Sequence, residues 1–285
     1  MSTATAPAPA APSGLAGARV SFPRVLRSEW LKLRTLRSTW WTLGIAFALL
    51  AGLPVMLTVA AKAVPELGSD APAGSADAVQ NVVSGGLQMG ALAIVVLAAL
   101  VVTSEYTTGA IRSTLAAVPT RLPVLAAKLA VVVVVTLLVG VLSSALAFGI
   151  SGLVEPDVVP DFSAPEVTRI VLGGPLLLAA IAAFTFATGA LLRNTAATIA
   201  VVMGLLLVIE NVVSVIPWKV FEYVRPLLPF SAGSSIMSTE ATLDMSGEMF
   251  PRAFEAGPWG GYAILLGWVA VLFVAAAVRL RTRDA

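Results

Sequence analysis

Residues 105–121, EYTTGAIRSTLAAVPTR, open with an acid and an aromatic, Glu105 and Tyr106, and reach Gly109 four residues later. An amphipathic patch, residues 110–118 with Ile111 and Arg112, follows before Pro119 and Arg121. Long apolar runs flank the stretch on both sides. A carboxylate accepts a charge-assisted hydrogen bond and a guanidinium donates one, so Glu105 and Arg112 are equipped to contact a cleft on another protein. The competing arrangement keeps Glu105 within the chain, paired with Arg112 or with Arg37. The patch predicts a short helix lying on a membrane surface. Arg112, Arg121 and Lys128 place that surface on the cytoplasmic side by the positive-inside rule.

Glu210 is the second candidate, as the only carboxylate inside an apolar run, VIENVVSVIPW. An ionisable group at a helix centre costs on the order of 3 kcal/mol on insertion scales. Glu210 lies nearer the outer end of its run, so its cost is lower. Three roles are open: lining a substrate path with Asn211, pairing with Lys219 or Arg225, or reaching water at the outer interface. As a path residue it is expected to matter to transport more than to folding. Asn211 can also hydrogen-bond a neighbouring helix.

Several chemistries are excluded. The chain has no cysteine and no histidine, which removes disulfides, thiol and imidazole nucleophiles, a haem axial His and the usual zinc ligands. An intramembrane protease needs a Ser/His pair, paired aspartates or a metal site, and a single intramembrane acid supplies none of these. No G-x-x-x-x-G-K-[ST] motif occurs, and no soluble stretch is large enough for a nucleotide domain. No catalytic, cofactor or metal residue is expected on this chain, and the protein is not expected to be an enzyme.

Composition sets the elements that must position these residues. The chain is 58% hydrophobic and 12% charged, with mean hydropathy +0.93. Charged residues make up about a quarter of a typical soluble domain, so this is a polytopic membrane protein. The apolar runs are unbroken Ala/Val/Leu rather than the ~10-residue alternating segments of a barrel. Each is long enough for a helix across a ~30 Å hydrocarbon core. Six spans are predicted, over residues 40–62, 87–104, 124–150, 170–192, 196–216 and 259–278. With both termini inside, only Lys62, Arg169, Lys219, Arg225 and Arg252 of the 18 basic residues fall on the outer side. That bias fixes the orientation.

Residues 1–18 are rich in Ala, Pro, Ser and Gly and are expected to be a disordered tail. They lack the basic region and apolar core of a signal peptide. Residues 19–285 form one transmembrane domain. Phe22, Leu26, Leu33 and Trp40, spaced by 4, 7 and 7, share one helical face, with Arg24, Arg27 and Arg34 opposite. Such a helix lies in the inner interface against anionic headgroups, and Trp40 and Trp41 mark the water boundary. Gly86 and Gly90 in the second span, and Gly140 and Ser144 in the third, are spaced for close helix packing in lipid. Residues 217–258 form a long outer loop expected to carry short helices.

The pattern E-Y-x-x-G-x-I-R, then P-x-R, then Lys128 at the head of the next span, resembles the first cytoplasmic loop of type-2 ATP-binding-cassette transporter permeases. Ala110 stands where family members often have Thr. SEWLKLRTLRSTWW resembles the N-terminal connecting helix of bacterial members. GALLRNTAAT, with Arg193, is similar to their second inner loop, and LLPFSAGSSIM to their outer re-entrant region. The resemblance implies an all-α, six-helix permease of the bacterial plasma membrane. Its coupling residues would be Glu105, Tyr106, Gly109, Ile111, Arg112, Arg121 and Arg193. Separate ATPase subunits would bind ATP and Mg, and their closure would push the loop helix and switch access. The permease would pair with a second copy or a related permease, contact membrane lipids but no nucleic acid, and export a lipophilic substrate. The alternative class is a secondary transporter or channel without an ATPase. That class uses broken helices and intramembrane ionisable groups, of which Glu210 is a single instance.

Overall fold

The computed structural model describes residues 21–64, 75–107, 122–216, 218–249 and 252–283. Among these the fold is helical throughout, and six helices are long and apolar enough to cross a membrane. Helix α1 is Phe22–Thr35; spans one to four are α2 (Arg37–Ala63), α3 (Ala76–Thr107), α4 (Leu122–Val154) and α5 (Pro165–Leu192). Span five runs from α6 (Thr195–Met203) through a π-helical stretch, Gly204–Ile209, to α7 (Glu210–Val215). Three short helices follow: α8 (Lys219–Val224), α9 (Pro229–Ser234) and α10 (Glu240–Met249). Span six is α11 (Gly257–Arg283). The tail at 1–18 and the loop at 108–121, with Gly109, Ile111, Arg112 and Arg121, lie outside the described residues.

Span four is the centre of the bundle. In its most apolar window 83% of residues are buried, against 28% in spans one and five and 17% in span six. Ile170, Leu177, Leu178, Ile181 and Phe186 are fully enclosed, and α5 packs against α3, α4 and α11. The peripheral spans turn apolar side chains such as Ile45, Val208 and Val271 outward. Those faces suit lipid, which is as apolar as they are, so burial of apolar area does not drive the spans together.

Close packing takes that role. A Cβ on Gly86 would stand 2.7 Å from the Leu49 carbonyl oxygen and 2.8 Å from that of Leu50, so only glycine lets spans one and two approach this far. At Gly90 it would meet the Leu50 side chain at 2.4 Å, and at Gly140 the Cα of Pro175 at 2.9 Å. Ser144 is half-buried, and the neighbouring Ser143 is the enclosed residue of that pair.

Two elements differ from the sequence expectation. Span two starts at Ala76, eleven residues before the expected 87. Gly85 and Gly86 lie inside the helix, as a packing seam against Pro54 and Leu50. Helix α1 buries the expected side only in part: Leu33 is enclosed and Leu26 partly buried, with the Arg24, Arg27 and Arg34 face exposed, but the ends of the expected stripe are not covered. Val25, Glu29 and Leu33 point inward, whereas Phe22 is 46% exposed and Trp40, beyond a break at Leu36, is 61% exposed. The extended backbone at Leu36 (φ −80°, ψ 120°) ends α1 before span one, so the two do not share one continuous face.

Candidate functional site

The buried stripe of α1 places a glutamate between Val25 and Leu33 at i+4 spacing. Glu29 meets Lys128 of span three, with Nζ donating to Oε2 at 2.6 Å. Lys128 also donates to Glu105 Oε1 at 2.7 Å. Lys32, one turn along α1, donates to the same Glu105 oxygen at 2.8 Å and to Glu29 Oε1 at 2.8 Å. Two carboxylates and two ammonium groups therefore close a ring between α1 and the facing ends of spans two and three. The side chains of Glu29 and Lys128 are 5% and 6% exposed. Charges this buried persist only when paired, because an isolated one loses most of its hydration. Partial burial alone would lower the Lys32 pKa, but bonds to Glu105 and Glu29 hold it above the ordinary lysine value. The expected partner Arg37 is not engaged; Glu105 is held by Lys32 and Lys128 instead.

Residues 108–121 connect Thr107, where α3 ends, to Leu122, where α4 begins. Glu105 and Lys128 therefore anchor the two stumps of that loop. Tyr106 makes a further link: the Arg193 guanidinium carbon sits 5.3 Å from its ring centroid, within cation–π range. Arg193 occupies the turn between spans four and five in the left-handed region, φ 60°. Asn194 then caps α6 by accepting from Ala197 N at 2.9 Å. Thr103 and Thr195 hydroxyls meet at 2.6 Å, and Arg279 of span six bonds the Leu191 carbonyl. Of the expected coupling residues, Glu105, Tyr106 and Arg193 are thus brought to one end of the bundle.

The same end holds a cavity of about 490 Å³ between α1, α2, α3 and α4. Glu29, Lys32, Glu105 and Lys128 line it on one side, and Leu97, Leu100 and Val101 on another.

At the opposite end, residues 225–237 fold back into the bundle. Trp268 Nε1 bonds the Leu227 carbonyl at 2.8 Å. Trp268 is eleven residues into span six, about 16 Å along it at 1.5 Å per residue. Backbone at such depth must satisfy its polar groups inside the protein, and three charged side chains do so. Glu210 accepts from Phe230 N at 2.8 Å, Ser231 N at 2.6 Å and Ser231 Oγ at 2.7 Å, which caps α9. Arg225 donates to the carbonyls of Val213, Ser214 and Ile216, where span five ends. Arg169 donates to those of Ile236 and Ser238, past the end of α9. Glu210 is 4% exposed and bonds neither Lys219 nor Arg225. Asn211 lies on the exposed side and bonds the Leu207 carbonyl of its own helix at 2.7 Å.

The π-helical stretch explains the aim of Glu210. Thr198, Val202, Leu206 and Glu210 are all buried at a constant spacing of four. On a 3.6-residue helix that spacing drifts by about 40° per step. The wider π turn over Gly204–Ile209 offsets the drift and keeps Glu210 facing α9.

Glu29, Lys32 and Arg169 were missed as functional positions in the sequence. Glu29 had a visible signal, an acid at i+4 between two apolar residues. Arg169 had none beyond its i+3 distance from Glu166, to which it is also paired at 3.1 Å.

Residues 25–220 match the family model described as ABC-2 family transporter protein. No curated protein matches the chain.

Proposed function

This chain belongs to the ABC-2 transporter family, and on that premise we propose that it is the permease subunit of an ATP-driven exporter in the plasma membrane. Membrane subunits of this family generally work with ATPase partners. The proposed assembly pairs two permeases, identical or related, above two ATPase subunits that hold ATP and Mg. The end bearing α1, Arg193 and Arg279 faces the cytoplasm, and the cargo is lipophilic.

The observation that carries this reading is the tied end of the bundle. The loop at 108–121 leaves from Glu105 and returns toward Lys128, and both are bonded into α1. Tyr106 reaches the next inner turn through Arg193, and Arg279 brings in span six. A push on the loop is therefore delivered to α1 and to spans two to six rather than to one hairpin. Glu210 lends no support to the alternative of an ion-coupled transporter, because its two oxygens are already engaged by α9.

Arg112→Ala is the test. Arg112 lies in the loop and carries the donor for a partner cleft, and removing one member of a desolvated charge pair costs about 2–5 kcal/mol. The variant should co-purify less ATPase or uncouple hydrolysis from transport while all six spans insert. Wild-type complex yield together with wild-type substrate-stimulated hydrolysis would refute the coupling role. Glu105→Ala is the weaker test, because it also opens the ring with Lys32 and Lys128.

A further inference from the structure

We infer that spans one and three form a hinged pair, which swings on the charge ring at the inner end and parts from spans two, four, five and six at the outer end. The polar contacts of the outer half sort the spans into these two groups. Residues 225–242 bind the larger group into one body. Thr239 Oγ1 donates to Asp77 Oδ1 of span two at 2.7 Å. Arg169 of span four donates to the Ile236 and Ser238 carbonyls. Glu210 of span five caps α9. Ser235 Oγ donates to the Pro258 carbonyl, at the head of span six, at 3.2 Å. Spans one and three are tied to each other instead. Thr58 Oγ1 donates to Ser151 Oγ at 3.2 Å. Lys62 Nζ donates to the Val154 carbonyl and lies 3.9 Å from a Glu155 carboxylate oxygen. Among the described residues, no hydrogen bond or ion pair joins the two groups in this half.

Between the groups the contact is helix backbone and hydrocarbon. Gly86 faces the Leu49 and Leu50 carbonyls, Gly90 the Leu50 side chain, and Gly140 the Cα of Pro175. Lipid is as apolar as these surfaces, so parting them forfeits van der Waals packing and no polar partner. The inner end is built the other way. Glu105 of span two takes Lys32 and Lys128 at 2.8 and 2.7 Å, while Glu29 joins α1 to span three on the side of the pair. The seam is thus pinned by charge at the inner end and closed by packing alone further out. The cavity of about 490 Å³ lies along it, with Leu36 and Val131 on the side of the pair and Leu97, Leu100 and Val101 on span two. Leu97 is seven residues from Gly90, about 10 Å along span two at 1.5 Å per residue. The hollow therefore stands between the pin and the glycine contact, and an outward swing of the pair extends it to the outer face.

This inference needs only the six spans. It does not rest on ATP-driven export, and its failure would leave that reading intact. The test is double electron–electron resonance on the full chain in nanodiscs, with nitroxides on pairs of cysteines introduced into this cysteine-free sequence. Ala63, Leu153, Asn81 and Trp259 are exposed outer-end positions on spans one, three, two and six. The 63–153 and 81–259 distances, each within one group, should give single narrow distributions. The 63–81 and 153–259 distances cross the seam and should split in two or broaden about twofold, as a hinged element with two packings does. Equal widths for all four pairs would overturn the hinge, and so would broadening within either group. Thr58→Val combined with Lys62→Met removes the ties between spans one and three. It should widen the 63–153 distribution to the cross-seam value, and an unchanged 63–153 distribution in that variant would also overturn the pairing.

Discussion

Glu210→Gln should destabilise the fold, and the size of the loss follows from three bonds. The carboxylate accepts from Phe230 N, Ser231 N and Ser231 Oγ, all within 2.8 Å. Glutamine keeps one acceptor oxygen and turns the other position into an NH₂ donor. If the oxygen stays on Phe230 N, the NH₂ faces the Ser231 N–H donor to donor. The Ser231 hydroxyl can rotate and accept from the new NH₂, so one backbone N–H is orphaned. An orphaned buried donor costs about 1–3 kcal/mol, and loss of charge assistance on the surviving bond adds about 1 kcal/mol. The sum is roughly 2–4 kcal/mol. For a domain of about this size 1 kcal/mol shifts Tm by about 2–4 °C, so apparent melting should fall by about 4–16 °C. Intrinsic tryptophan fluorescence in nanodiscs reads the transition, since Trp268 anchors the same hairpin. Glu210→Ala orphans both N–H groups and should melt lower still. Asn211→Ala, on the exposed side, should melt as wild type. The geometry thus moves Glu210 from the expected transport role toward folding. Wild-type melting of Glu210→Gln with reduced transport would refute the cap and restore the substrate-path role.

Lys128→Met leaves Glu29 and Glu105 sharing Lys32 alone, and an uncompensated buried charge costs about 3–5 kcal/mol. Trypsin should then cut faster at Arg24, Arg27 and Arg34, and Glu29→Gln combined with Lys128→Met should recover much of the protection; unchanged cleavage of Lys128→Met would count against the ring. Gly86→Ala inserts a Cβ 2.7 Å from the Leu49 carbonyl oxygen and should cost about 1–3 kcal/mol as overpacking. Gly44→Ala has nothing within 4 Å and should not destabilise, so equal melting of the two variants would remove the packing argument. Single cysteines placed at Ser113 and Ser246 test orientation. An impermeant thiol reagent on intact cells should label position 246 and spare 113, and the reverse would invert the topology.

The sequence by itself determined the spans, because crossing a bilayer is a demand on composition and length that each segment meets alone. All six helices fall where the apolar runs do, with span two longer than expected. The basic bias and the loop motif were likewise legible, since each is local. Close approach at Gly86, Gly90 and Gly140 could be anticipated from small-residue spacing, but not the partner backbone each one meets. Only tertiary structure decided which charges find one another. Glu29 and Lys128 are 99 residues apart, and no spacing rule links an acid on one helix to a base on another. Glu210 posed the same difficulty. Seen along its own span it is a lone acid with several available roles. Its role as a cap exists only because residues 225–237 fold back to the depth of Trp268, where backbone N–H groups have no water to turn to. Local pattern reports which residues enter the membrane, while the pairing of polar groups inside it is a property of the assembled bundle.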